Sequence, residues 1–290
     1  MKTVRDYLSL MKLRVMTLLL FTTLMAMMIA AGGAPSLPLV FWTLLGGALA
    51  AGSSGALNMY FDRDIDALMK RTSRRAIPSG RIAPVNALTF GIVLAIASFV
   101  ELSLTVNLLA ASLALSGVLF YVIVYTLWLK RTSVQNIVIG GAAGAIPPLV
   151  GWAAVTNHLG LTALLLFLIV FVWTPPHFWA LALIAKDEYA KVNVPMLPVV
   201  RGDAVTKRHI LAYTVALAGL TLALTPLHVM GWVYLACALL LDLAFFWYAW
   251  RVTVLGTVAS ERALYKYSML YLALLFGAMV IDRLRHGSGT

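Results

Sequence analysis

The sequence predicts an all-α polytopic membrane protein, a bundle of nine transmembrane helices with its N-terminus in the cytoplasm and its working face on the same side. Three observations predict this. First, the 290 residues are 62% hydrophobic and only 11% charged, with a mean hydropathy of +0.92. Soluble domains carry about 25% charged residues. Second, nine apolar runs each approach the ~20 residues that cross a bilayer core. Third, the segments between those runs are sharply asymmetric in charge. The net charge of +11 would suggest nucleic acid in a soluble protein. In so apolar a chain it reads as topology, and no nucleic-acid partner is expected.

The runs are Arg14–Gly33, Pro38–Leu57, Ala87–Thr105, Leu108–Leu129, Ile137–Thr156, Leu161–Ala185, Ile210–Leu227, Gly231–Trp250 and Leu264–Ile281. No soluble stretch of domain size lies outside them, so residues 1–290 read as one transmembrane domain. On one side of the implied membrane the connections carry 20 Lys and Arg; on the other lie only Arg283 and Arg285. The positive-inside rule makes the rich side cytoplasmic. Met1 to Arg14 lacks the Arg/Ser-rich length of an organelle transit peptide. A bacterial or archaeal cell (inner) membrane is therefore the expected location. The single Cys237 excludes an internal disulfide and lies in an apolar run.

The second run leads straight into the most polar stretch of the chain. Asn58 to Arg81 holds three aspartates and six basic residues. If the helix continues into it, Asn58, Asp62 and Asp66 follow one another at four-residue intervals and share one face. Asp64 falls on roughly the opposite face. Stacked carboxylates repel and call for a positive partner. Mg²⁺ fits, since it takes one or two carboxylates and completes its shell with water and phosphate oxygens. Arg71, Arg74 and Arg75 suit phosphate through bidentate hydrogen bonds. Lys130 and Arg131 sit at the inner end of the fourth run and by default anchor it. After the sixth run, Asp187 and Glu188 offer a second carboxylate pair on the same side.

Two runs contain proline pairs. Pro147-Pro148 and Pro175-Pro176 free backbone carbonyls, which inside a membrane is tolerated where the helix is buried or lines a cavity. His177 follows the second pair. It either bonds those carbonyls or contacts a ligand. Glu101 and Asp242 lie inside runs, where ionisable groups are costly and face the bundle interior.

These residues carry a resemblance. Asn58-x3-Asp62-x3-Asp66-x2-Met69-x-Arg71-Thr72-x2-Arg75 resembles the first acidic motif of the UbiA-type intramembrane prenyltransferases. Three further pieces are similar to the protohaem IX farnesyltransferase branch of that superfamily. They are Tyr125-Thr-Leu-Trp-Leu-Lys130-Arg131-Thr132 with Asn136 to Pro148, Trp173-x-Pro175-Pro176-His177-Phe178, and Tyr189 with Pro195-Met-Leu-Pro198.

The resemblance implies transfer of a farnesyl group from farnesyl diphosphate to a vinyl group of haem b. It implies Mg²⁺ on Asp62, Asp66 and Asp187, with Asp62, Asp66, Lys130 and Asp187 catalytic. Asn58, Arg71, Arg74, Arg75, Tyr125, Arg131, His177, Glu188, Tyr189 and Lys191 then bind substrate. A haem A synthase or a terminal oxidase is the implied recipient of the product. One departure stands out. The superfamily's second acidic motif is Asp-x3-Asp, but Lys191 occupies the fourth position after Asp187. The rival readings are a related enzyme acting on a quinone precursor or another tetrapyrrole, and a membrane transporter without catalysis.

Overall fold

The structure, a computed structural model, describes residues 2–287. They form helices joined by turns and, over residues 69–83, by a longer loop, with no strand among them. In order these are α1 (Lys2–Leu10), α2 (Leu13–Ala31), α3 (Leu37–Phe61), α4 (Arg63–Leu68), α5 (Pro84–Thr105) and α6 (Leu108–Leu119). A π-helical segment (Phe120–Leu129) and α7 (Lys130–Thr132) prolong α6. Then follow α8 (Asn136–Thr156), α9 (Leu161–Ile184), α10 (Lys186–Lys191), α11 (Leu197–Val200), α12 (Gly202–Ala223), α13 (Trp232–Leu255) and α14 (Val258–Gly287).

The helix ends follow local chemistry. Gly32 adopts a left-handed φ of 63° and ends α2, while Gly33 N–H reaches back to the Met28 carbonyl. Pro84 opens α5, where its missing N–H costs nothing. The Asn107 side chain accepts from Ala110 N–H at 2.8 Å and caps α6. The α13 start is capped from elsewhere in the fold: Asp282 accepts from Gly231 N–H at 2.6 Å and Tyr234 N–H at 3.1 Å.

The long helices pack as a closed ring. α2 meets α3, and contacts pass through α5, α6, α8, α9, α12 and α13 to α14, which returns to α2. α2 also packs along α8 across the ring. One buried core joins α8, α9 and α12–α14 around Ile169, Tyr234, Phe245 and Tyr271. A second joins α3, α5, α6 and α8 around Leu57, Leu102, Ala110 and Val150. A small third core, with Leu10, Met59, Ile77 and Ile82, fastens the loop after α4 to α1 and α3. Outward positions such as Leu104, Trp232 and Leu240 stay apolar and exposed, as a lipid-facing surface requires.

Among the described residues, eight helices are long and apolar enough to cross a membrane. The expected seventh span, Ile210–Leu227, is the exception. Its helix begins earlier, at Gly202, and stops at Ala223. Asp203, Lys207 and Arg208 occupy its first two turns and lower its hydropathy. The chain from Leu224 to Met230 is turn.

Candidate active site

α3 continues through Asn58, as the spacing required, and breaks at Asp62 (φ −89°, ψ 4°) before α4 resumes. The hydrogen bonds from Asp62 N–H to Asn58 O and from Asp66 N–H to Asp62 O carry the helical register across the break. The three side chains therefore do share a face. All three are almost wholly buried.

Buried carboxylates need partners, and basic groups from two segments, α7 and the loop after α4, supply them. Asp62 Oδ2 accepts from Lys130 Nζ at 2.5 Å and from Asn58 Nδ2 at 2.7 Å. Arg131 Nη2 stands 3.8 Å from Asp62 Oδ1. Asp66 Oδ2 accepts from Arg75 Nη1 at 2.6 Å. Asn58 Nδ2 also donates to Thr126 Oγ1 at 3.1 Å, and Thr126 donates to the Tyr121 carbonyl five residues back. That last bond belongs to the π-helical segment, a wide turn recurrent at functional sites.

Lys12 joins the cluster with no pattern in the sequence to mark it. This residue joins α1 to α2 with a left-handed backbone (φ 54°, ψ 50°). Its Nζ donates to Asn58 Oδ1 at 2.5 Å. Burial, reinforced by Arg75 and Lys130, lowers its ammonium to about 7. A left-handed Lys is uncommon, and here it aims a cation at the carboxylates. The signal was available only as a basic residue just ahead of the first apolar run.

Asp64 points the other way, as its register predicts. It is exposed and takes both Arg131 Nη1 and Nη2 at 2.7 Å. That bidentate bond holds its carboxyl at about 2. The sign follows: the pair stabilises the folded state above the ordinary carboxylate range and loses this as pH falls through about 2. Exposed pairs contribute about 0–1 kcal/mol. Asp64→Asn is therefore expected to change the unfolding free energy at neutral pH by no more than about 1 kcal/mol, measured by denaturant titration in detergent.

The second acidic pair is arranged differently from the first. Asp187 is exposed on α10, as is Lys191. Glu188 is half-buried, and its Oε2 is enclosed without a hydrogen-bond partner. Tyr189 is buried, which raises its phenol; it also feels the charges of Arg71, Arg75, Glu188 and Asp62. The inner loop thus comes within electrostatic range of the α3–α4 cluster through Tyr189. Among the described residues no three His, Cys, Asp or Glu side chains gather closely enough to hold a metal ion. Neither Asp187 nor Glu188 therefore joins Asp62 and Asp66 in such a group. Arg71 and Arg74 are both exposed.

A cavity opens beside this cluster, between α2, α3, the π-helical segment, α8 and α9. Lys12 and Tyr121 line it near the charges. Tyr125 stacks on Tyr121 at 5.2 Å, and a Cβ on Gly140 would strike the Tyr125 ring at 2.3 Å. Only glycine leaves that ring in place. The first proline pair serves the cavity as expected, while Pro175 and Pro176 are buried within α9, whose Trp173 and Thr174 line it. Pro147 and Pro148 leave the carbonyls of Ala143 and Gly144 without their helical donors, and both of those residues line it.

Trp173 and His177 form part of the α9 wall. The His177 ring lies between Trp173 at 4.5 Å and Tyr265 at 4.7 Å, roughly parallel to both. Asp242 proves structural. It accepts from Thr221 Oγ1 at 2.8 Å and Tyr271 OH at 2.6 Å, and ties α12, α13 and α14 together. Glu101 accepts from Thr105 at 3.0 Å and packs against Gly46.

A multi-pass helical bundle with a buried acidic–basic cluster at the edge of an apolar cavity defines a class: membrane proteins suited to an amphiphile with an anionic head. Comparison with known proteins narrows the class. Residues 19–275 match the UbiA prenyltransferase family. A protoheme IX farnesyltransferase of Gloeobacter violaceus is 56% identical, covering 96% of this chain and 91% of that protein. One from Acidiphilium cryptum is 50% identical over 97% of this chain and 92% of its own length. Against the relative from Roseiflexus sp., 56% identical, the chain spans about half the length, 52%.

In overall fold the chain is similar to a digeranylgeranylglyceryl phosphate synthase (TM-score 0.81, 18% identity, 98% of this chain and 100% of that one). It is also similar to a UbiA homologue from Archaeoglobus fulgidus bound to GPP and Mg²⁺ (TM-score 0.67, 17% identity, 94% and 99%). The chain belongs to the UbiA prenyltransferase family.

Proposed function

We propose that this protein transfers the farnesyl group of farnesyl diphosphate to a vinyl group of haem b, releasing diphosphate and giving haem O. The observation that carries the reading is the buried cluster of Asp62, Asp66, Lys130, Arg75 and Lys12 at the edge of an apolar, aromatic-lined cavity. The relatives named above support the choice of substrates.

Mg²⁺ fits the residues present. Asp62 Oδ1 and Glu188 Oε2 are buried acceptors without hydrogen-bond partners, and Asp66 lies one turn from Asp62. One or two carboxylates with phosphate oxygens are the usual protein share of a Mg²⁺ site. When bound, the ion neutralises charge on the diphosphate. Asp62 and Asp66 would hold it, and of the second loop's two acids Glu188, with its enclosed and unbonded Oε2, is the candidate further ligand rather than the exposed Asp187.

The chain's own residues do the rest. Lys130, Arg75 and Lys12 donate to the diphosphate as its charge grows, and Arg71 meets it from the loop. The bond from farnesyl C1 to oxygen breaks, and its electron pair leaves with the diphosphate. The vinyl π pair of haem b forms the new carbon–carbon bond to C1. The cation left on the haem side chain takes hydroxide from water, which releases a proton. Tyr121 and Tyr125 present π faces to the allylic cation, a contact contributing about 0.5–2 kcal/mol. The loops after α4 and α9 exclude water while C1 ionises.

In this reading the whole chain acts as one membrane domain, α12 completes the nine spans as the seventh in order, and the charged edge faces the cytoplasm of a bacterial or archaeal cell. The product passes to a haem A synthase or a terminal oxidase. The reading is tested with purified protein in lipid, given haem b and farnesyl diphosphate and assayed for haem O by mass. Product is expected with Mg²⁺, none after chelation, and recovery on adding Mg²⁺ back. No haem O under any of these conditions would remove the proposed acceptor.

A further inference from the structure

His177 has two ring nitrogens, and the structure accounts for one. Nδ1 lies 2.7 Å from the hydroxyl of Ser268, on α14, 91 positions along the chain. That hydroxyl has a single proton, and it is directed to the Tyr265 carbonyl at 2.7 Å. With its proton on that carbonyl, the Ser268 oxygen accepts from His177. The proton on the imidazole is then on Nδ1, and Nε2 keeps its lone pair. The ring has little freedom to escape this. Trp173 and Tyr265 cover its two faces. Trp173 is itself fixed, because its Nε1–H donates to the Ser268 backbone carbonyl at 2.8 Å. Ser268 is fully buried, His177 nearly so, and His177 lines the cavity.

We propose that Ser268 is a positioning residue for the acceptor substrate: its hydroxyl fixes His177 as the Nδ1–H tautomer, so that Nε2 binds the iron of haem b in the cavity. The assignment rests on the haem reading above and deepens it. A ligating imidazole depends on the partner of its other nitrogen for orientation and basicity, and losing such a partner commonly weakens metal binding about 10–100-fold. The same pairing holds the porphyrin in one rotational setting, so that one vinyl group meets the farnesyl C1.

Ser268→Ala isolates the effect. It removes the hydroxyl, adds no volume, and leaves the backbone carbonyl that holds Trp173. The experiment titrates the full-length protein in detergent with haem b, following the Soret band, for the wild type and for Ser268→Ala, Ser268→Thr and His177→Ala. The wild type is expected to shift the band, His177→Ala to lose that shift, Ser268→Ala to bind about 10–100-fold more weakly, and Ser268→Thr to recover. Thermal unfolding of each variant shows that the fold is retained.

If the wild type binds haem through His177 but Ser268→Ala titrates identically, the positioning role is overturned and the haem reading stands. If His177→Ala leaves the band and affinity unchanged, the ligand role falls with it. If the wild type shows no band shift at all, the haem-acceptor reading itself fails.

Discussion

Asp62→Asn is expected to lower haem O formation by about 10²–10³-fold at saturating substrates. Asp62 is the hub of the charged cluster. One oxygen holds Lys130 and Asn58, and the other is buried and open. The amide cannot carry the negative charge that both Mg²⁺ and Lys130 require. A stability loss is also expected, because Lys130 is left nearly buried beside a neutral group. Breaking a buried pair on one side costs about 3–5 kcal/mol, less here because Lys130 keeps some solvent contact.

The two effects separate in a second variant. Lys130→Met added to Asp62→Asn removes the stranded charge and is expected to restore most of the stability and none of the activity. Haem O yield by mass and unfolding in detergent report the two quantities. If Asp62→Asn keeps near-normal turnover, the cluster is not the site of leaving-group chemistry.

Gly151→Ala is the second large effect, and it acts on the fold. A Cβ at Gly151 would lie 2.2 Å from the backbone oxygen of Thr23. A backbone atom cannot swing aside as a long side chain can, so α8 and α2 must separate. Small residues permit such close helix crossings in membranes, and overpacking typically costs about 1–3 kcal/mol. Thr23 and Val150 both line the cavity, so the displacement is expected to weaken binding of the farnesyl chain as well. Gly144→Ala is the control, because a Cβ there meets nothing within 4 Å. Unfolding midpoints in one detergent compare the two. An unchanged midpoint for Gly151→Ala would mean that the crossing is looser than described.

The core of the site was legible because its logic is local. Four-residue spacing placed Asn58, Asp62 and Asp66 on one face and turned Asp64 away; the structure keeps both arrangements and buries the shared face. Proline pairs marked the cavity walls for an equally local reason, the loss of backbone donors. What stayed hidden depends on tertiary placement. Lys12 reaches Asn58 from a left-handed residue between α1 and α2, and no periodicity encodes that backbone. Ser268 meets His177 across the bundle.

The contrast between Asp187 and Glu188 had the same origin. Both sit in the first turn of a six-residue helix, and only packing of that helix decides which carboxylate is enclosed. Span seven was misread at its edges for a simpler reason. Hydropathy follows lipid-facing composition, whereas the helix itself continues through the polar residues from Gly202.

The central claim is that the diphosphate head is bound, through a divalent ion, on the Asp62–Asp66 face. The most direct measurement is a structure with Mn²⁺ in place of Mg²⁺ and a non-hydrolysable farnesyl diphosphate analogue, with the ion located by its anomalous signal. The account predicts an anomalous peak in contact with Asp62 and with the diphosphate, and Glu188 nearer to it than Asp187. A diphosphate bound away from Asp62, or an ion that touches neither Asp62 nor Asp66, would contradict it.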